Sequence, residues 1–481
     1  MVFGLRSSAF SLTVLGSSPA LGQTAHPDWD LVIVADNSET VDGFVNMSAS
    51  IRQWGPTDEV FIVTERRTPD PLGGTTPPAT YQLFVQGFDC PGYADTPLVC
   101  GPLLHGPEAL SAVSNYDQLL LPSLAIRRMG PTGPRQVSAM YRERRFTTCG
   151  DETDPGWLAL PNTESREAMD LVYTRWRTGG TGVVGTEVIF DGTDAVCERA
   201  GASSIQWTQS VLRGCYTEQP LPIGDDPCLV HCGDRPNGGV WSDDATLQLS
   251  DMDDAFDHPT VKLTGDGGFR VRGYHRETPA GNDAVFAELT NVATGTTFPL
   301  FQAGGPGATR RRNNPSVTFE YDATDSHVTV VYQDRRPLGG PATDRISWAS
   351  CTSTANCEAG TWTAPASALT TGDEDAAGHP TIVGHGDFQA VVYQSENADE
   401  DLRVRYIERC GATGAWSAPI DLVNPDDPDN QQSVQFGKPH IVASVVNETL
   451  HVAFVEWDTV DGTTADESSV FWVHKELPEC P

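Results

Sequence analysis

Four stretches of the chain open alike: Pro259-Thr-Val, Pro315-Ser-Val, Pro380-Thr-Ile and Pro439-His-Ile, at separations of 56, 65 and 59 residues. Each opening is followed by an alternating apolar run, at Phe269 to Tyr274, His327 to Tyr332, Phe388 to Tyr393 and Leu450 to Val455. A polar loop and a second such run follow, at Ala284 to Leu289, Arg345 to Ala349, Leu402 to Ile407 and Ser469 to His474. Two units end on one phrase, Thr361-Trp362-Thr-Ala-Pro365 and Ala415-Trp416-Ser-Ala-Pro419, and Val240-Trp241-Ser242 has the form of the same ending in an earlier unit. Apolar residues recurring at every second position mark half-buried strands.

Four strands to a unit, repeated in tandem, predict the blades of a β-propeller. A lone sheet of this kind buries neither face, whereas radially stacked sheets bury both against their neighbours. The regular units span 225–481. Fainter echoes fill 28–224: Val60-Phe-Ile-Val-Thr-Glu-Arg-Arg67 before Pro71-Leu-Gly-Gly74 matches Val330-Val-Tyr-Gln-Asp-Arg-Arg336 before Pro337-Leu-Gly-Gly340. Pro122-Ser-Leu-Ala-Ile126 and Val137 to Arg145 repeat the first two strands, and Trp207-Thr-Gln reads as another fourth strand. The expected fold is all-β, with six or seven four-stranded antiparallel blades.

The Trp-x-x-Pro ending and the strand pattern resemble the bacterial neuraminidase repeat of sialidase-type propellers, and also fucose-lectin propellers. The resemblance covers roughly residues 225 to 481. It departs from the family at the Asp-box, Ser-x-Asp-x-Gly-x-Thr-Trp, because Cys357 and Gly411 stand where the Asp belongs. A second resemblance competes in the N-terminal half. Asp36-Asn-Ser38-Glu-Thr40 is similar to the Asp-x-Ser-x-Ser metal motif of von Willebrand A-type domains, with Asp30 to Ala35 as central strand, Thr163 and Asp191 as later ligands, and Mg²⁺ or Ca²⁺ as the ion.

Arginines recur directly after the second strand: Arg66-Arg67, Arg142 with Arg144-Arg145, Arg276 and Arg335-Arg336, accompanied by Glu65, Glu143, Glu277 and Asp334. The sialidase resemblance implies that the loops after these strands open on the funnel face of the ring. Arg67, Arg145, Arg276, Arg336, Glu143 and Asp334 are therefore the candidate ligand-binding residues. A guanidinium holds a carboxylate or sulfate at two points, which suits an acidic sugar. The alternative is that each arginine is neutralised by its neighbouring acid. No catalytic residue can be named, since no nucleophile pair is identifiable and no metalloprotease, serine-hydrolase or phosphate-loop motif occurs. Three functions are in view: glycan binding at an Arg-bearing face, cation-dependent adhesion through an A-type domain, and glycoside hydrolysis of the exo-sialidase kind.

The formal charge of -34 argues against nucleic acid or an anionic membrane surface as a partner; a carbohydrate or glycoprotein partner is what the sialidase resemblance implies. Nearly all positive charge is Arg, with lysine only at Lys262, Lys438 and Lys475. Residues 1–22 read as a signal peptide, with Arg6 ahead of the apolar run Ala9 to Gly16, and no later run is long enough to insert in a membrane. That places the mature chain outside the cytoplasm, where its 11 cysteines read as local disulfides at Cys90/Cys100, Cys228/Cys232 and Cys351/Cys357. No motif requires a cofactor. Asp-rich loops, at Asp251 to Asp257, Asp373 to Asp375, Asp399 to Asp401, Asp426 to Asp429 and Asp458 to Asp466, would suit Ca²⁺ without the spacing of a defined calcium loop.

Overall fold

A computed structural model describes residues 24–36, 45–54, 59–68, 80–90, 103–111, 118–129, 133–144, 169–179, 183–190, 199–208, 210–219, 228–250, 260–263, 268–277, 283–298, 301–304, 311–320, 327–335, 344–364, 368–370, 376–396, 402–411, 414–424, 431–433, 442–443, 449–457 and 468–480. The signal-peptide reading falls outside them.

The strands assemble into seven antiparallel blades. Blade 1 is Val45–Trp54, Glu59–Thr68, Thr80–Asp89 and Leu103–Ala109. Blade 2 is Gln118–Arg128, Arg135–Arg144, Met169–Arg177 and Val183–Phe190. Blade 3 is Arg199–Thr208, Val211–Gln219, Cys228–Pro236 and Ser242–Ser250, joined to blade 2 by one parallel pair, Arg199 with Met169. Blade 4 has Thr260–Leu263, Phe269–Glu277 and Asp283–Asn291, its fourth strand split into Thr296–Thr297 and Phe301–Gly304. Blade 5 has Arg311–Glu320, His327–Arg335 and Arg345–Cys351, edged by a bridge between Ser350 and Thr363. Blade 6 is Ala376–His385, Phe388–Glu396, Leu402–Cys410 and Ile420–Asp421.

Blade 7 closes the ring. Gln431–Ser433 and Val442–Ala443 both pair with Thr449–Trp457, which pairs with Ser468–Glu476, and the outer strand is Asp30–Asp36 from the start of the chain. The first strands of successive blades touch one another around the whole ring, and Val442–Ala443 touches Val45–Trp54 to complete it. Seven blades therefore settle the expected six or seven; blades 1 and 2 and the first two strands of blade 3 lie within the faint N-terminal echoes.

The all-β ring also overturns the A-type alternative. Asp30–Asp36 is an edge strand, antiparallel to Ser468–Glu476, where an A-type domain needs a central parallel strand. Two smaller expectations change as well. Trp207 sits in the first strand of blade 3, since only two residues separate Thr208 from Val211. Cys232 bonds Cys215 on the neighbouring strand instead of Cys228. Residues four apart along a strand are ~13 Å apart, too far for a disulfide. Cys351–Cys357 forms as expected. Cys90 is disulfide-bonded, and Cys100 lies outside the described residues.

Between blades, each face contributes alternate side chains to a shared core. Phe61, Val63, Leu83 and Val85 of blade 1 meet Val137, Ala139 and Tyr141 of blade 2. Val330 and Tyr332 of blade 5 meet Val271 and Val285 of blade 4. The repeated tryptophans are equivalent: Trp362 packs back on blade 4 and Trp416 on blade 5, and the residue after each bonds a third strand, Thr363 to Ser350 and Ser417 to Glu408.

The seam that closes the ring carries two buried histidines. His451 and His474 are cross-strand partners in blade 7, both fully buried, and Trp472 Nε1 donates to His451 Nδ1 at 3.2 Å. Burial holds the pKa of His474 down at about 4 and that of His451 well below its usual value, with His474 adding charge repulsion. Both rings are neutral when folded and free to protonate when unfolded. Below pH ~6.5 the unfolded chain therefore binds more protons, and stability falls as the pH drops from there through the folded values. His474 alone accounts for about 3 kcal/mol by pH 4. Denaturant unfolding at pH 7 and pH 4.5 should show this loss, and the double variant His451→Gln/His474→Gln should flatten the profile. Equal acid slopes in the two proteins would assign the loss to other groups.

Candidate ligand-binding face

Every second strand runs outward from the same side of the ring, so all seven end on one face, here the upper face. Toward those ends a tyrosine recurs in five consecutive blades: Tyr141, Tyr216, Tyr274, Tyr332 and Tyr393. All are buried, and each packs against the preceding blade. The position two residues further on lies on the same face of the strand. These positions hold Glu143, Glu218, Arg276, Asp334 and Ser395. The tyrosine register thus aligns Arg276 with Asp334, not with Arg336.

Asp334 is 1% exposed and holds two arginines across its own sheet. Arg312 in the first strand and Arg345 in the third are its register neighbours. Arg312 Nε lies 3.3 Å from Oδ1, and Arg345 reaches Oδ2 with Nε at 2.9 Å and an Nη at 2.8 Å. Arg335 behaves differently: its side chain is 48% exposed and only 3.8 Å from Asp344, which also accepts from Gln333 at 3.0 Å. Glu143 is half-buried beside Tyr141, where burial first and the Glu143 charge second push the phenol pKa up. Arg67 and Arg276 lie on described strands, but their side chains, like all of Arg145 and Arg336, fall outside the described residues. The same holds for Asp36, Ser38 and Thr40 as metal ligands. Among the described residues no three His, Cys, Asp or Glu side chains are grouped to hold a metal ion.

Blade 3 contains a polar cluster around His231. His231 stacks on Tyr216 at 4.9 Å and bonds Glu218 through Nε2, with Asp243 3.4 Å from Nδ1. Trp241 Nε1 donates to Asp243 at 2.6 Å. Burial alone would push the His231 pKa down, but the bonds to Asp243 and Glu218 prevail and hold it at about 9. His231 is thus a cation at neutral pH, clamped between two carboxylates. It is an ion triad, unsuited to act as a general base. The local signal was the alternation Tyr216-Thr-Glu218, which places both side chains on the face His231 shares.

No protein-family model matches the sequence, and no curated protein matches it. Among solved structures, the Trypanosoma rangeli sialidase in complex with 2,3-difluorosialic acid is 10% identical over 75% of this chain and 54% of its own, with a TM-score of 0.45. The alpha-L-arabinofuranosidase from Lactobacillus brevis is 10% identical over 63% of this chain and 96% of its own, at 0.36. The GH43 endo-arabinanase from Bacillus licheniformis is 12% identical over 56% of this chain and 91% of its own, at 0.30. Likenesses this distant carry no inference about substrate or residues.

Proposed function

We propose that this chain is an extracytoplasmic propeller of sialidase-like kind that binds an anionic glycan on its upper face. The observation that carries the reading is positional. Second strands of blades 1, 2, 4 and 5 end at or next to Arg66 and Arg67, Arg144, Arg276 and Arg335, with Arg145 and Arg336 following in the sequence, in a chain of charge -34, which supports an arginine-bearing upper face. Four blades each offering a guanidinium around a common axis would give an acidic sugar several two-point contacts while the rest of the surface repels it. Disulfides at Cys215–Cys232, Cys351–Cys357 and Cys410–Cys480 support an oxidising compartment.

A glycan array should show preference for sialylated, uronic or sulfated ligands. The triple variant Arg67→Ala/Arg276→Ala/Arg336→Ala should fold normally and lose about tenfold in affinity per guanidinium engaged. The loss should be larger at low salt, where screening is weak. An array without acidic preference, or unchanged binding in the triple variant, defeats the reading. Release of a fluorescent sialoside would replace binding by hydrolysis as the activity.

A further inference from the structure

A second concentration of positive charge lies on the opposite face, in the seam between blades 2 and 3. The cross-strand register of blade 2 sets Arg127, Gln136 and Arg177 in one row and Ala125, Ser138, Arg175 and Gly185 in the next. Ala125 and Tyr173 pack on Ile205, Leu212 and Tyr216 of blade 3, so the alternate residues Arg127, Arg175 and Arg177 face that blade too. From blade 3, Arg235 crosses the seam to lie 4.5 Å over the Tyr173 ring. All four arginines stand near the ends of first or third strands, away from the upper face.

Their partners are few. Arg127 is 6% exposed, stacks 3.9 Å over Trp207, and donates one Nη to Gln136 at 3.0 Å and to Asn237 at 2.5 Å. Both acceptors are neutral amides. Arg235, also 6% exposed, takes Glu187, the one carboxylate paired with the cluster among the described residues, with Nε and an Nη each at 2.9 Å. Arg175 and Arg177 have no carboxylate among the described residues. Nε of Arg127, Arg175 and Arg177 and Nη1 of Arg235 are all buried without a hydrogen-bond partner there. Gly185 leaves the Arg175 guanidinium room to lie across the fourth strand, since a Cβ there would stand 3.2 Å from it. Burial and the nearby charges of Arg177, Arg175 and Arg235 lower the pKa of Arg127, as expected of guanidiniums gathered without enough counter-charge.

Four guanidiniums against one carboxylate, two of them nine-tenths buried, is an arrangement that an anion completes. Buried cations without counter-charge are costly, and buried donors without acceptors more so. Arg175 and Arg177 are only half-buried, which leaves the site reachable from the rim. We infer that this seam binds a compact oxyanion, such as a sulfate or phosphate group, held between Arg175 and Arg177 and backed by Arg127 and Arg235. The site is separate from the upper face and does not depend on the glycan reading.

The test compares the full chain with the double variant Arg175→Gln/Arg177→Gln. Isothermal titration and thermal unfolding would use sodium sulfate, sodium phosphate and ionic-strength-matched sodium chloride. Sulfate or phosphate should bind the wild type and raise its Tm above the chloride value. The double variant should bind at least about tenfold more weakly. In chloride its Tm should be unchanged or higher, because like charges have been removed. In the Arg67→Ala/Arg276→Ala/Arg336→Ala background, where the upper-face arginines are gone, a sulfated disaccharide binding more tightly than inorganic sulfate identifies a saccharide ester as the source, whereas equal or weaker binding identifies the free ion. Sulfate acting no differently from chloride, or acting equally on the double variant, overturns the inference. So does a double variant whose Tm falls by the same amount in all three salts, since the arginines would then be structural.

Discussion

A chain begun at residue 37 is expected not to fold to a stable monomer. Removing Asp30–Asp36 strips the outer strand from Ser468–Glu476 and exposes that strand's hydrogen-bonding edge, with Val470, Phe471, Trp472 and Val473 beside it. Exposed apolar edges pair with other chains. The same deletion removes Trp29, 4% exposed, whose ring meets Tyr406 edge-on at 5.0 Å and lies under Lys475 at 5.4 Å. It also removes the pairing of Thr24–Ala25 with Val423–Asn424 and the bond from His26 N to Leu422 O at 3.0 Å. Trp29→Ala alone should cost about 3–5 kcal/mol, the usual range for a buried tryptophan. Size-exclusion chromatography of the truncated chain should show oligomer or aggregate. A monomer with the parent's Tm would mean that contacts between blades hold the ring without its closing strand.

The C-terminal end is tied down in the same place. Cys410 at the end of a blade 6 strand bonds Cys480, and Lys475 reaches Glu408 at 2.6 Å while lying 4.6 Å over Tyr406. The first and last described stretches are thereby fastened to blade 6 as well as to each other. One of only three lysines is used here, among aromatic rings where a mobile charged side chain would otherwise lose solvation.

Apolar, β-branched and aromatic residues concentrated between turn residues made the second and third strands of the later blades readable, because these strands are buried on both faces by their neighbours. The closing strand was not readable in the same way. Leu31-Val-Ile-Val34 is a short apolar run with no strict alternation, and such runs fit a parallel core strand as well as an edge strand. Its partner lies more than four hundred residues away, so no local pattern announces the pairing. The disulfide from Cys410 to Cys480 was hidden for the same reason, at a separation of 70. At the candidate face, sequence located the charges but not their register. Counted from the buried Tyr274 and Tyr332, position 276 corresponds to position 334. Likewise Asp334-Arg335-Arg336 reads as a local acid–base pair. The fold instead gives Asp334 to Arg312 and Arg345, which flank it on adjacent strands.

That pairing makes Asp334→Ala the substitution with the largest expected effect at the candidate face. The carboxylate is almost fully buried, and its loss leaves Arg312 and Arg345 facing each other across the sheet without counter-charge. Breaking a buried ion pair from one side costs ~3–5 kcal/mol, and the partial exposure of both arginines places this case at the lower end, about 3 kcal/mol. Arg312→Ala should cost less, because Asp334 keeps Arg345. The double variant Asp334→Ala/Arg312→Ala should be less damaging than the sum of the two, since it also removes the cation left unpaired. Urea unfolding of the three variants measures this coupling, and strict additivity would show that Asp334 and Arg312 act independently. Ligand binding separates the two roles Asp334 can have on this face. If its charge faces a bound acidic sugar, Asp334→Asn relieves repulsion and affinity rises. If it serves only to hold Arg312 and Arg345 in place, Asn keeps the size but not the charge that holds them, and affinity falls together with stability. Buried at 1% exposure under two guanidiniums, Asp334 is expected to give the second result. A tighter-binding Asp334→Asn would instead place the carboxylate against the ligand.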